Sequence, residues 1–245
     1  MNYSLKKEML ILFVIIVCFS FTISYAEGTE SYYCSFSFEE DAINKLPIEW
    51  KPAFALEPPN TDAYVTDDAD KVSPLTSMAF SFPNTKAIYI KDAAIDNSVN
   101  IYTLIRSDKT RDLFFSADFK ILGKGDLYIQ FYTTGLGNYT TRVRLRAGST
   151  MQVMTERSPS AYATGKEVIE ANKWYRIQGR INCAQASMDF TLLSDEGKII
   201  DQLKDMPTIT NSRKYGITRI SLNTGSGGPQ YVGEFAVDNV YAKEQ

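Results

Sequence analysis

The feature that most limits what this chain can fold into is the two-residue spacing of its apolar side chains. In residues 186–192, Met188, Phe190 and Leu192 point one way, while Ser187, Asp189 and Thr191 point the other. Side chains alternate across a strand, so this is the signature of a strand with one buried face. Segments of the same kind, rich in aromatic and β-branched residues, recur at 32–38, 78–82, 87–91, 113–120, 126–133, 139–146 and 151–155. They continue at 174–181, 186–193, 198–202, 216–222 and 231–242. Turn residues separate them, as in Gly123-Lys124-Gly125-Asp126, Gly135-Leu136-Gly137-Asn138, Asp195-Glu196-Gly197 and Gly225-Ser226-Gly227-Gly228-Pro229. Residues 49–74 hold four prolines and several aspartates, and read as an irregular stretch with one or two short edge strands. Residues 99–106 fit a strand or a short helical turn. No long amphipathic helix, internal repeat or linker interrupts the pattern. About a dozen short strands with Gly-rich turns require two packed sheets or a barrel. The expectation is an all-β, two-sheet antiparallel β-sandwich of the jelly-roll kind.

The first segment reads differently. Lys6 and Lys7 precede an apolar run from Met9 to Phe19, and Ser24-Tyr25-Ala26 supplies small residues at a cleavage position. This is the layout of a secretory signal peptide over residues 1–26. The run is short for a membrane span, so no span is expected after cleavage. Residues 27–245 then form one domain of 219 residues, long enough for a single core. The expected location is secreted, periplasmic or at the cell surface. Two cysteines remain in that domain, Cys34 and Cys183, and an oxidising compartment makes a disulfide between them an expectation.

Composition removes whole classes of chemistry. The chain has no histidine, which excludes a His-based triad, a His-containing zinc site and a His general base. Twenty-six basic against 29 acidic residues leave a charge of −3, which argues against a nucleic-acid partner. The chain also carries no Gly-rich nucleotide loop, nucleophile elbow or Cys-x-x-Cys.

Four stretches carry a resemblance to a known family. They are Cys34-Ser35-Phe36-Ser37-Phe38-Glu39-Glu40-Asp41, Asn172-Lys173-Trp174-Tyr175-Arg176-Ile177, residues 188–198, and Gly233-Glu234-Phe235-Ala236-Val237-Asp238-Asn239-Val240. In layout the chain resembles the concanavalin A-like lectin/glucanase superfamily. The resemblance implies that the first and last strands are neighbours. It also implies a possible structural Ca²⁺ near Glu39, Asp41 and Asp238, since calcium takes six or more oxygens. No other cofactor is required. Glycosidases of this fold carry an E-x-D-x-E or E-x-D-x-x-E strand whose carboxylates flank the glycosidic bond, and no such strand is present. The alginate-lyase-like R-x-E-x-R strand is similar to Arg142-Val143-Arg144-Leu145-Arg146, but Arg144 stands where the acid belongs, and the partner histidine is missing.

The candidate binding surface is one hairpin. Tyr128, Gln130 and Tyr132 share a face, and beyond the 135–138 turn Arg142, Arg144 and Arg146 share another. With an even register the three arginines stand across from Tyr128, Gln130 and Tyr132, and an anionic ligand, or Glu156 and Asp118, could offset their charge. Tyrosine rings stack on sugar faces, and guanidinium forks bind carboxylate or sulfate. The competing reading is a solvated face with ordinary cross-strand pairs. Trp174 is a further candidate platform or a cover for the core edge. These features point to a secreted carbohydrate-binding, lectin-like protein whose partner is a polysaccharide or other glycan, acidic polysaccharide among them. The alternatives are a polysaccharide lyase or hydrolase of the same fold, and a non-catalytic envelope protein with a structural or adhesive role and a protein partner.

Overall fold

The structure is a computed structural model, and it describes residues 32–77, 84–105, 107, 111–133, 139–155, 161–209, 216–225 and 232–244. The leader at 1–26, the 78–82 segment, the 135–138 turn and Glu156 lie outside the described residues. In chain order the strands are β1 (Tyr32–Phe36), β2 (Lys51–Pro52), β3 (Thr61–Thr66), β4 (Ala87–Asp92) and β5 (Asn100–Leu104). Then come β6 (Asp112–Ile121), β7 (Asp126–Tyr132), β8 (Tyr139–Arg146), β9 (Thr150–Met154) and β10 (Tyr162–Val168). The last five are β11 (Trp174–Asn182), β12 (Ser187–Ser194), β13 (Ile199–Pro207), β14 (Arg219–Thr224) and β15 (Gly233–Glu244). One turn of 3-10 helix at Ala69–Lys71 is capped by the Asp68 carboxylate, which accepts from the Asp70 amide. Among the described residues no helix is long and apolar enough to cross a membrane.

The strands form two antiparallel sheets. Sheet A runs β13-β12-β11-β6-β15-β4-β3, with β1 also paired to β15. Sheet B runs β10-β9-β8-β7-β14-β5-β2. The fold is therefore the all-β sandwich that the alternation required, and the first and last strands are neighbours. Within the 99–106 stretch, Asn100–Leu104 is strand β5, in which Ile101 and Thr103 face inward while Tyr102 faces out. Strand β10 escapes the alternation argument, since Tyr162–Val168 is mostly exposed and shows no apolar face.

Each sheet turns one face to the core. Phe115, Phe119, Ile177, Phe190 and Phe235 come from sheet A, and Leu127, Ile129, Phe131, Val143 and Leu222 from sheet B. Phe131 spans the gap, with its ring 5.0 Å from Phe115 edge-on and 6.0 Å from Phe190. Gly179 faces the same core, where a Cβ would sit 2.5 Å from the Phe190 ring. Trp50 is buried against Phe36, so it seals the core and does not line a cleft.

Two observations correct the cysteine expectation. Neither Cys34 nor Cys183 is in a disulfide, and both are buried in the core. Burial pushes the Cys34 thiol up to about 12, far from the thiolate that disulfide exchange needs. At one end of the sandwich, Asp201 on β13 stitches the two sheets. Its Oδ2 accepts from the amides of Lys166 (2.7 Å) and Glu167 (3.3 Å) on β10. Gly165 leaves room for it, because a Cβ there would land on the carboxylate.

Asp201→Ala is expected to cost about 1–3 kcal/mol by leaving two amide donors unmet, read as a lowered Tm. Gly179→Ala is expected to cost about 1–3 kcal/mol by overpacking against Phe190. Both thiols are expected to resist a thiol reagent in the folded protein and to react fully in denaturant.

Candidate functional site

The outer face of sheet B concentrates the polar and aromatic side chains. Where Leu127, Ile129 and Phe131 of β7 enter the core, the pleat sends Asp126, Tyr128, Gln130 and Tyr132 to the opposite face. On β8, Val143 and Leu145 point in, so Arg142, Arg144 and Arg146 point out. The observed register pairs Tyr128 with Arg144, Gln130 with Arg142, and Asp126 with Arg146. The ladder is thus displaced by one rung from the expected pairing, and Tyr132 faces Tyr139 after an irregularity.

Asp126 organises this face. Its fully buried carboxylate accepts from Arg144 Nε (3.0 Å), Arg146 Nη2 (2.9 Å) and Arg146 Nε. The Tyr128 hydroxyl donates to the same group at 2.9 Å. Burial, then the Asp126 charge, raises the Tyr128 phenol above its ordinary range, so it remains a donor at neutral pH. Arg144 Nη1 also reaches Gln152 Oε1 at 3.1 Å. Asp126 offsets the charges of Arg144 and Arg146, and Asp118 does not take part, because its carboxylate is held in sheet A by Arg176.

A cleft of about 340 Å³ opens beside this cluster. Tyr128, Gln130, Tyr132 and Arg142 line one side, Asn100 and Asn223 the floor, and Phe54 and Ser98 the other side. The depression exists because short side chains stand beside long ones. Asn223 pairs with Tyr128, and the fully buried Ser221 pairs with Gln130. The Ser221 hydroxyl donates to Asn100 Oδ1 at 2.5 Å. Gln130 links the wall. With its Nε2 donating to the Tyr132 hydroxyl (2.6 Å), its Oε1 accepts from Arg142 Nε (2.7 Å) and Nη2 (2.6 Å).

The tyrosines support arginines here. The Arg142 guanidinium lies 4.8 Å from the Tyr128 ring centre, and that of Arg219 lies 3.7 Å from Tyr132. Tyr128 and Tyr132 are buried, whereas Phe54 is 64% exposed at the rim. The aromatic surface open to a ligand is therefore Phe54, which the sequence did not single out. Arg219, Asn100 and Asn223 were also missed, because only the strand order β7-β14-β5 brings them to this face.

The other candidates lie elsewhere. Trp174 is buried on β11 in sheet A, paired with Lys120, and is not part of the cleft. Glu39 Oε1 accepts from the amides of Thr85 (2.7 Å) and Lys86 (3.0 Å), and Asp41 Oδ1 from that of Ile48 (3.0 Å). The Lys86 ammonium donates to the carbonyl oxygens of Glu39 and Asp41, at 2.6 and 2.9 Å. Asp238 is fully buried and accepts from the amides of Ser73 (3.1 Å) and Asn239 (2.6 Å). Among the described residues no three metal-ligating side chains gather at one point.

Known proteins match this chain by fold. No family model matches the sequence, and no curated protein matches it. Among solved structures, a carbohydrate esterase from the Shiga toxin-encoding bacteriophage phi24B has a TM-score of 0.58 at 14% identity, covering 88% of this chain and 99% of that one. Lectin UEA-II complexed with galactose has a TM-score of 0.52 at 10% identity, covering 88% and 100%. A sialidase matches with a TM-score of 0.49 at 18% identity, and the chain spans 17% of its length. The chain is a β-sandwich that resembles jelly-roll and lectin folds.

Burial, with Asp118 and Glu39 adding to it, pushes Asp238 up to about 8. The folded state therefore holds a proton that the unfolded state releases near pH 4. The stability this supplies is complete below that range and is lost as pH rises toward 8. Asp238→Asn is expected to flatten the fall in Tm between pH 4 and pH 8. An unchanged slope would remove Asp238 as its source.

Proposed function

We propose that the protein is a carbohydrate-binding, lectin-like protein that takes an acidic polysaccharide in the sheet B cleft. The observation that carries this reading is the cleft itself. It sets an exposed aromatic ring, Phe54, opposite a fixed guanidinium, Arg142, over a floor of asparagine amides. Sugar rings offer an apolar face for the ring and hydroxyls for the amides, and an acidic sugar adds an anion for the arginine. The comparison with a carbohydrate esterase and a galactose-bound lectin supports a carbohydrate-associated role.

Binding is favoured over turnover by the state of Tyr128. A β-elimination needs a base near neutral pH, and this phenol is held above its ordinary range and donates to Asp126. Glycoside hydrolysis by two carboxylates needs a second acid on the site. On β7, β8 and β14 the only carboxylate is Asp126, which is buried under two arginines. The leader expected at residues 1–26 would place this binding function outside the cytoplasm.

A glycan array tests the reading. The wild type is expected to retain acidic glycans, and Arg142→Ala or Phe54→Ala to lose about tenfold or more in affinity while keeping the wild-type Tm. A folded wild type that retains no glycan would contradict it.

A further inference from the structure

Asp126 does not balance the charge of the arginine-rich face. Strands β7, β8 and β14 carry Arg142, Arg144, Arg146 and Arg219 against this single aspartate. Arg144 and Arg146 spend their forks on Asp126, and Arg142 is oriented by Gln130 and Tyr128. Arg219 is held in another way. Its guanidinium lies 3.7 Å from the Tyr132 ring centre and 5.0 Å from that of Tyr102. Among the described residues no carboxylate pairs with it. Its Nε is buried without a hydrogen-bond partner among those residues.

This combination has a physical consequence. Stacking engages the flat faces of a guanidinium and leaves its in-plane N–H groups for an acceptor. It also fixes the side chain in advance, so a ligand need not order it on binding. The charge is thus positioned and, among the described residues, not neutralised. Arg219 adjoins the cleft without lining it. Tyr132 is a cleft wall, pairs with Arg219 across the β7–β14 ladder, and shares a hydrogen bond with the Gln130 that orients Arg142. Arg142 on β8 and Arg219 on β14 therefore flank one Tyr132–Gln130 unit from opposite sides.

We propose that Arg219, clamped between Tyr102 and Tyr132, is the residue by which the cleft selects a sugar bearing an anionic oxygen group, a carboxylate or a sulfate ester. Its terminal Nη N–H groups donate to that anion while Phe54 and the asparagines hold the ring, the buried Nε lying out of the ligand's reach. This rests on the glycan-binding reading of the same cleft and names the residue that sets the preference for charge.

The test is calorimetric titration with three sets of probes: uronic-acid oligosaccharides, their methyl esters, and sulfated oligosaccharides of similar length. The proteins are the wild type, Arg219→Met and Arg219→Lys, each checked for an unchanged Tm. The methionine keeps an apolar stem against the rings, and the lysine keeps the charge without the planar fork. The wild type is expected to bind at least one anionic set about tenfold or more above the neutral esters. Arg219→Met should abolish that ratio while leaving ester affinity within about twofold, and Arg219→Lys should fall between. Loss in the uronate set assigns a carboxylate, and loss in the sulfated set assigns a sulfate. If Arg219→Met weakens acid and ester equally, or leaves the acid unchanged, the role of Arg219 is overturned and the glycan reading stands. If the wild type binds none of the three sets, both fall together.

Discussion

A buried aspartate holds the outer face of sheet B in place. Asp126 has no exposure, so its charge is tolerable only with cationic partners and a full set of donors. Arg144, Arg146 and the Tyr128 hydroxyl supply them from the neighbouring strand and from two residues along its own. The arrangement works in both directions. The arginines satisfy a carboxylate that could not otherwise be buried, and the carboxylate lets guanidinium groups stand side by side without mutual repulsion. Two of the four arginines on this face are thereby pinned as structure. Arg142 and Arg219 remain over the tyrosine rings.

The same strand also supplies the core. On β7 the pleat alternates Leu127, Ile129 and Phe131 with Asp126, Tyr128, Gln130 and Tyr132. A slip of one residue would bury the polar set and expose the apolar one, so packing fixes the register of the outer face as firmly as that of the core. Relief on that face then comes from side-chain length. Asn100, Ser221 and Asn223 are short and lie beside Tyr128, Gln130 and Tyr132, and the height difference makes the cleft. Flatness in the strands and relief in the side chains together give a cleft with aromatic and polar groups in its lining.

How much of this was legible in the sequence follows from the range of each interaction. Local alternation identified most strands, including Tyr139–Arg146, and placed Tyr128, Gln130, Tyr132 and the arginines on one side of their strands. It missed β10, whose side chains are mostly exposed and need no apolar face. Asp126 was not singled out, because it stands where the 123–126 turn meets the 126–133 strand and its arginine partners lie on another strand. In the fold it opens β7 and meets Arg146 across the ladder. Arg219 carried no local signal at all. Its partners Tyr102 and Tyr132 are distant in sequence and come beside it only through the order β7-β14-β5. The cysteine pairing failed for a related reason. Compartment predicts whether a disulfide is allowed, while only the packing shows that each thiol has its own place in the core.

The central claim is that the outer face of sheet B recognises a glycan. Amide chemical-shift mapping during titration with an acidic oligosaccharide tests it most directly. The account predicts perturbations concentrated at Phe54, Asn100, Tyr128, Gln130, Arg142, Arg219 and Asn223, with the core strands of sheet A unmoved. Perturbations confined to the outer face of sheet A, around Trp174 and Arg176, would contradict it.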